Sequence, residues 1–511
     1  MLAKVLSGAA VGLESVPVEV EVDIAPKSLP SFSIVGLPGK AVEEAKERIR
    51  AAIKNSGAEF PKHKITVNLT PADLPKEGPA YDLPMALGIL KANNGLAVDF
   101  SDSLILGELS LDGSLRHTKG ILPMIILAKQ LGLKNIFLPA VNAKEAAVIS
   151  GIKIYPVVSL IHLFQHFSGV RKIDLQKHID FDQFKDNNCF DFDLNEIDGQ
   201  EQAKRALEIA AAGGHNIMMI GPPGAGKTML ARAFPSILPE LTEAEALEVT
   251  KIYSITGNLP AGSSIIKTRP FRSPHHTTSR IGLIGGGSKP SPGEVSLSHR
   301  GVLFLDEFPE FTRSVLESLR QPMEDGKVQI SRAAGTMIFP SKFIMIAASN
   351  PCPCGYLNSK KKSCTCMPGL VSRYKKRVSG PILDRIDIHI TVPEVKTSRL
   401  IAKNLPSRTV ESSRQIRIRV QKARNLQTKR FKETIFACNA EMNTKSVKNF
   451  CRLDSNCLKL MQTAAEKMNL SARGYYRTIK ISRTIADLAG SAEIIPANVG
   501  EALQYRPQQG Y

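Results

Sequence analysis

The sequence predicts an α/β chain of several domains that ends in a helical one, and three observations carry the prediction. Strand-like segments, apolar or alternating with period two, are interleaved with helical segments from about residue 16 to 395. One apolar stretch, residues 216–220, runs into a glycine-rich turn and then a helix opening near Met229. From about residue 396 onward the periodicity is helical. The length of 511 residues exceeds what one core supports, so two to four domains are expected.

The turn is Gly221-Pro222-Pro223-Gly224-Ala225-Gly226-Lys227-Thr228, followed by Met229. It satisfies the P-loop pattern in the strand-then-helix setting that pattern requires. Glycines let backbone N–H groups curl around phosphate oxygens, and the helix N-terminus adds its positive dipole end. Lys227 is placed to reach β- and γ-phosphates, and the Thr228 hydroxyl to bind Mg²⁺. An ordinary glycine-rich turn lacks the lysine, the hydroxyl and both flanks, so ATP with Mg²⁺ is the expected ligand.

Composition excludes several classes. Hydrophobic content of 43% and charged content of 23% are those of a globular protein. There is no run of eighteen apolar residues, so no membrane partner is expected. Residues 1–6 lead directly into strand-like alternation without an apolar signal region, so a cytoplasmic protein is expected. Eight cysteines in so long a chain do not make a disulfide scaffold. The net charge of +19 points to a polyanionic partner, with DNA the first candidate.

Residues 1–170 are expected to form one α/β domain. Residues 16–24 alternate as a half-buried strand, 41–56 form an amphipathic helix, and 64–69 a second strand. A helix is expected over 82–91, a strand over 104–111, a helix over 123–131 and a strand over 135–138. The segments 68–79 and 107–113 resemble the Lon-protease-like domain, which has a ribosomal-protein-S5-type fold. An active Lon site needs a serine nucleophile and a lysine base. The corresponding positions here are Ala80 and Leu122, with Lys119 close by, so the resemblance implies a non-proteolytic domain. The segment Gly36-Leu37-Pro38-Gly39-Lys40 lacks the P-loop pattern and reads as a turn before a helix. Residues 171–192 are polar and mixed in charge (Lys172, Asp174, Lys177, Asp180, Asp182, Lys185, Asp186) and read as a linker.

Past the P-loop, residues 268–293 are rich in Gly, Pro, Ser and His and read as a long functional loop. Its His275 and His276 have no carboxylate or cysteine at ligand spacing, which favours contact with substrate or a neighbouring subunit over a metal site. Residues 301–305 then form an apolar strand that ends in Asp306-Glu307, at the end of an open α/β sheet where ligands bind. Asp306 suits Mg²⁺ held through water, and Glu307 suits polarising the attacking water. Residues 314–323 read as a helix, 327–330 as a strand, and 343–349 as a third core strand ending at Asn350.

These segments resemble AAA+ ATPases. The resemblance implies that Asn350 is a sensor of the γ-phosphate or lytic water, and that Arg385, in Ser379 to Asp387, is an arginine finger reaching the next subunit. It also implies that Ser471-x-Arg473 carries a second sensor, with Arg473 on the γ-phosphate of its own subunit and Arg477 in reserve.

Two close cysteine pairs, Cys352/Cys354 and Cys364/Cys366, flank a lysine-rich loop (Lys360, Lys361, Lys362). They could enclose one tetrahedral structural Zn²⁺, with free thiols or a redox disulfide as alternatives. Cys189, Cys438, Cys451 and Cys457 are scattered. The segment 411–431 reads as a helix with Ile416, Val420 and Ala423 on one face and many cations elsewhere, fit either to track phosphates or to be a solvated face.

Taken in order, the Lon-like domain, the P-loop, Asp306-Glu307, Asn350, the Cys-Pro-Cys-Gly insertion, Asp384-Arg385 and Ser471-x-Arg473 resemble the YifB/ComM family of magnesium-chelatase-like AAA+ ATPases. The resemblance implies an AAA+ core over 193–395 with a cysteine insertion at 352–366, and a helical lid over 396–511. It also implies a hexameric ring that hydrolyses ATP, with family members described as DNA helicases promoting branch migration during natural transformation. An ATPase subunit of a metal-chelatase-type or other protein-remodelling complex is the alternative.

Overall fold

The computed structural model describes residues 2–74, 76, 78–93, 96, 98–181, 190–259, 264–287, 290–332, 335–359, 362–394 and 411–507. Outside them lie Pro75 and Glu77 of the Lon-like stretch, Asp182, Lys185, Asp186 and Cys189 of the linker region, Lys360 and Lys361, and the expected lid boundary at 396. The chain divides into two units. The first is Met1–Asp186 with Glu243–Ile266, and the second is Asn187–Thr242 with Lys267–Tyr511.

The first unit is built on a four-stranded sheet in the order Leu2–Val11, Glu14–Ala25, Lys64–Thr70, Ser31–Val35. The alternation read in the sequence is the burial pattern. Val18, Val20, Val22 and Ile24 face the core, while Lys4 crosses to Glu19 and Glu21 on the outer face. Ile65, Val67 and Leu69 join that core, each contributing about 2 kcal/mol. Helix Asp82–Ala92 lies against the first two strands, and Gly88 lets it approach, since a Cβ there would stand 2.6 Å from Val22. A second, parallel sheet pairs Ser103–Ile105, Asn135–Pro139 and Lys153–Val157.

The single strand expected over 104–111 is two short ones, Ser103–Ile105 and Glu108–Leu109. The chain leaves the sheet at Gly107, whose N–H donates to Ala80 and whose carbonyl accepts from Leu83, both at 3.0 Å. Helix Glu243–Thr256 also belongs to this unit, although it follows the P-loop in sequence. It packs on helix Ile121–Gln130, and Ser254 donates to Glu145 at 2.5 Å.

The second unit holds a five-stranded sheet in the spatial order Phe271–Arg272, Val302–Leu305, Ile344–Ser349, Ile217–Ile220, Ile388–Thr391, and every pairing is parallel. In chain order this is 2-3-4-1-5. The chain reverses direction across the sheet after the P-loop strand, which puts a ligand crevice at that strand's carboxyl end. Parallel strands covered on both faces should be continuously apolar, and the residues of Ile217–Ile220 and Val302–Leu305 are all buried.

Two expectations are corrected in this unit. The stretch 268–293 is not one loop: it contains strand Phe271–Arg272, helix Arg280–Ile284, and the pairing of Gly285–Gly286 with Ser291–Pro292. These elements are too short to show periodicity. The helix expected over 314–323 breaks into Arg313–Ser318 and Arg320–Asp325, since Pro322 cannot donate the N–H that would continue the first. Strand Lys327–Arg332 then pairs only with Gly335–Pro340, as a hairpin outside the main sheet.

The C-terminal part is helical, as expected. Helix Ser413–Arg430 opens on a capping box between Ser412 and Gln415 and packs against helices Glu201–Gly213 and Ala472–Leu488. Much of its cationic surface is already used. Arg419 pairs with Glu208 and Glu411, Arg430 with Asp487, and Arg424 donates to the Ala211 carbonyl. Arg419, Arg424 and Arg430 are thus engaged within the protein.

Candidate active site

Strand Ile217–Ile220 ends where Gly221 must pass against the fifth strand, and a Cβ at Gly221 would stand 2.2 Å from the Val392 carbonyl. The turn closes at Gly226, φ +90°, and helix Lys227–Ala233 begins there. Gly224 and Ala225 lie between, with Pro222 and Pro223 before them and Met229 exposed after. Gln200, just before helix Glu201–Gly213, donates to Ala225 O and Pro393 O, tying the turn to the fifth strand.

Lys227 is buried, and its ammonium donates to Gly221 O (2.6 Å), Pro222 O (2.9 Å) and Asn350 Oδ1 (3.1 Å). Burial pushes its pKa below the ordinary lysine value, and Asp306 opposes that shift. Thr228 Oγ1 donates to Asp306 Oδ2 at 2.9 Å. A hydroxyl and a carboxylate, both hard oxygen donors side by side, fit Mg²⁺ better than a softer metal. Asp306 Oδ1 accepts from the Glu307 N–H at 2.9 Å. Glu307 itself sits at φ +49°, in the left-handed region, and its carboxylate is exposed. A non-glycine residue held there stores about 1 kcal/mol or more, a cost that concentrates at functional sites.

The structure thus brings together Lys227, Thr228, Asp306, Glu307 and Asn350, contributed by the first, third and fourth strands at one sheet edge. It adds one residue that sequence spacing passed over. His276 Nδ1 stands 3.1 Å from Glu307 Oε2, and the His276 ring lies 4.1 Å from that of His275, centroid to centroid. No carboxylate was visible near His276 in the sequence because Glu307 is thirty-one positions away.

Arg385 and Arg473 are not part of this cluster. Both are bound by Glu324, Arg385 through one guanidinium nitrogen and Arg473 at 3.2 Å. Arg385 is buried, donates a second bond to Pro381 O at 2.7 Å, and leaves its Nε without a partner. Arg477, the reserve candidate, pairs with Asp387 at 3.2 Å. Burial alone would raise the Asp387 carboxyl, but Arg477 and His215 hold it well below the usual range. Asp387 in turn accepts from the Asn216 N–H, so it joins the helix carrying Arg473 to the base of the P-loop strand. Glu324 was unmarked in the sequence, where it is one acid in a turn.

The four clustered cysteines also meet: their sulfurs all lie within 4.8 Å of one another. Immediately beyond Glu307 a cleft of about 510 Å³ is lined by Arg313, Arg373, Lys376 and Arg377, with Glu310 paired to Arg377. In the first unit, Ala80 and Leu122 are both buried, and neither carries a nucleophile or a base. Among the described residues no helix is long and apolar enough to cross a membrane.

Comparison with known proteins agrees with this layout. Residues 193–400 match the model described as magnesium chelatase, subunit ChlI, 20–142 match subunit ChlI of Mg-chelatase, and 410–506 match its C-terminal model. The chain is 42% identical to "Competence protein ComM" of Haemophilus influenzae, over 99% of this chain and 97% of that one. It is 40% identical to "Uncharacterized protein YifB" of Escherichia coli over the same shares. A more distant relative, the magnesium-chelatase 38 kDa subunit of Rhodobacter capsulatus, is 24% identical over 31% of this chain and 50% of its own. A P-loop sequence at the edge of a sheet of this topology, within a chain similar from end to end to these relatives, assigns the chain to the ComM/YifB family of magnesium-chelatase-like AAA+ proteins.

Proposed function

We propose that the chain is one subunit of a cytoplasmic AAA+ ring, hexameric as the sequence resemblance implies, that hydrolyses ATP to move or remodel DNA, in recombination of incoming strands. The observation that carries the ATPase part is the convergence of Lys227, Thr228, Asp306 and Asn350 at the carboxyl edge of the parallel sheet. In this reading Lys227 exchanges the Gly221 and Pro222 carbonyls for β- and γ-phosphate oxygens. Thr228 and Asp306 would hold Mg²⁺, which when bound would offset charge on the transferred phosphoryl group. Glu307 orients the attacking water, Asn350 positions that water or the γ-phosphate, and His276 holds Glu307 in place until substrate is bound.

Arg473, expected to serve its own subunit, is read instead alongside Arg385, because one carboxylate, Glu324, binds both. Both arginines would then complete the site of a neighbouring subunit. The four cysteines are read as a closed structural zinc site.

The net charge of +19 and the cationic cleft beyond Glu307 support a DNA partner, as does the competence role in the Haemophilus relative's name. The matches to magnesium chelatase subunits favour a second reading, in which the ATPase drives a partner protein of a chelatase-type complex. ATPase rates of the pure protein with single-stranded DNA, branched DNA and no DNA separate the two. The motor reading expects several-fold stimulation by at least one DNA, whereas a rate indifferent to every DNA favours the second.

A further inference from the structure

We propose that zinc held by Cys352, Cys354, Cys364 and Cys366 braces the phosphate loop and Asn350, so that the metal governs ATP turnover. The inference rests on the zinc reading above and adds what the metal does for the nucleotide site.

The sulfurs already have the arrangement a metal needs. Cys352 Sγ lies 3.4 Å from that of Cys354 and 3.7 Å from that of Cys364, and the Cys354 and Cys364 sulfurs are 3.6 Å apart. Four sulfurs at about 2.3 Å from a tetrahedral zinc stand about 3.8 Å from each other. Backbone N–H groups donate to two of them, Cys354 N to Cys366 Sγ at 3.4 Å and Leu357 N to Cys352 Sγ at 3.3 Å. Such bonds stabilise sulfur carrying negative charge. All four positions are filled by protein, which makes the site structural.

The segment has little else to hold its shape. Among the described residues of 351–366 only Cys352 and Gly355 are buried. A loop without an apolar core gains its order from a metal.

What it orders is the nucleotide site. Asn350 is separated from Cys352 by one residue, Pro351, which stiffens the connection. Gly355, φ +83°, lies directly on the phosphate loop: a Cβ there would stand 2.7 Å from Pro223 Cδ and 3.8 Å from Asn350 Cγ. Further along, Ser359 donates to Glu394, just past the fifth strand. The cysteine loop therefore touches the P-loop, continues from Asn350 and is tied to the chain just past the fifth strand. Releasing the metal frees Asn350 on one side and removes the support of Pro223 on the other.

The test uses the full-length protein with Mg²⁺ retained throughout. Metal analysis should find about one zinc per chain. Removing it with a zinc-selective chelator should lower kcat for ATP about ten-fold, with a smaller rise in KM, and added Zn²⁺ should restore both. Far-UV circular dichroism should change little. Gly355→Val leaves every cysteine in place and should reproduce the kcat loss while keeping its zinc. Cys364→Ser with Cys366→Ser should lose both zinc and turnover. Should that double variant fail to fold, chelation and Gly355→Val still decide. A zinc-free chain turning over at the wild-type rate, or a zinc-loaded Gly355→Val doing so, overturns the brace. A protein that neither contains zinc nor takes up added Zn²⁺ overturns the zinc reading itself.

Discussion

Two strand–turn–helix junctions of this chain combine glycine, proline and lysine, and only one is built for phosphate. At Gly36-Leu37-Pro38-Gly39-Lys40 the turn is closed by its own surroundings. Gly39 N–H donates to Lys76 O at 2.9 Å, and Lys76 N–H donates to Leu37 O at 3.2 Å. A Cβ at Gly36 would meet the Leu69 carbonyl at 2.2 Å, and Lys40 is exposed. At Gly221 to Lys227 the first glycine is as crowded, its Cβ position 2.2 Å from the Val392 carbonyl, but the two glycines at the tip face open space: a Cβ at Gly224 or Gly226 would meet nothing within 4 Å. The lysine is buried, and the Asp306 carboxylate, from the strand two positions away in the sheet, stands by the next hydroxyl. The difference shows that glycine and lysine are not sufficient. A phosphate site needs unspent N–H groups, a desolvated cation and a metal-binding carboxylate brought to the same edge of the sheet.

The largest expected effect breaks this contrast directly. Lys227→Ala should lower ATP hydrolysis by about 100-fold or more, because a preorganised cation on the transferred phosphoryl group has no substitute. Lys40→Ala should leave the rate unchanged, and steady-state ATPase assays of both proteins compare the junctions on one scale. A comparable loss in Lys40→Ala would assign the first turn a role its geometry does not support.

A smaller effect separates the two units by pH. In the second unit burial, followed by Arg506, lowers His389 to about 4 from an ordinary 6.5, so the unfolded chain binds this proton more tightly. That stability is present above pH 6.5 and lost as pH falls toward 4, about 2 kcal/mol between pH 7 and 5. In the first unit burial raises Asp82 to about 6 from 3.8, against the opposing effect of Arg48. There the folded chain binds the proton more tightly, so stability rises by about 1 kcal/mol over the same fall in pH. Asp387 adds to the loss in the second unit only below about pH 4. Hydrogen exchange at pH 7 and 5, corrected for intrinsic rates, should show strand Ile388–Thr391 losing protection while helix Asp82–Ala92 keeps it. Equal losses in both units would contradict the assignment of these buried groups.

How much of this was legible follows from the range of each interaction. The P-loop, Asp306-Glu307 and Asn350 could be read because each sits at the end of a continuously apolar strand, a signal carried by adjacent residues. The cysteine cluster could be read for the same reason of proximity. Strand Phe271–Arg272 could not, since two residues show no period, and its parallel pairing with Val302–Leu303 is set by distant chain. Helix Glu243–Thr256 could not be assigned to the first unit, because the reason is its contact with a helix more than a hundred residues earlier. His276 on Glu307, and Glu324 on both arginines, are likewise pairs between separate elements. Glu324 matters most, since it changes how Arg473 is read.

In the proposed ring one chain carries only part of an active site, with Lys227 in its own part and Arg385 offered to a neighbour. Mixing tests it most directly. Lys227→Ala and Arg385→Ala proteins should each hydrolyse ATP poorly alone. In a one-to-one mixture allowed to reassemble, about a quarter of the interfaces join an intact Lys227 to an intact Arg385. ATPase activity should return to a corresponding fraction of the wild-type rate. A mixture no more active than its components, together with a wild-type rate per chain that does not depend on protein concentration, would mean that each chain completes its own site.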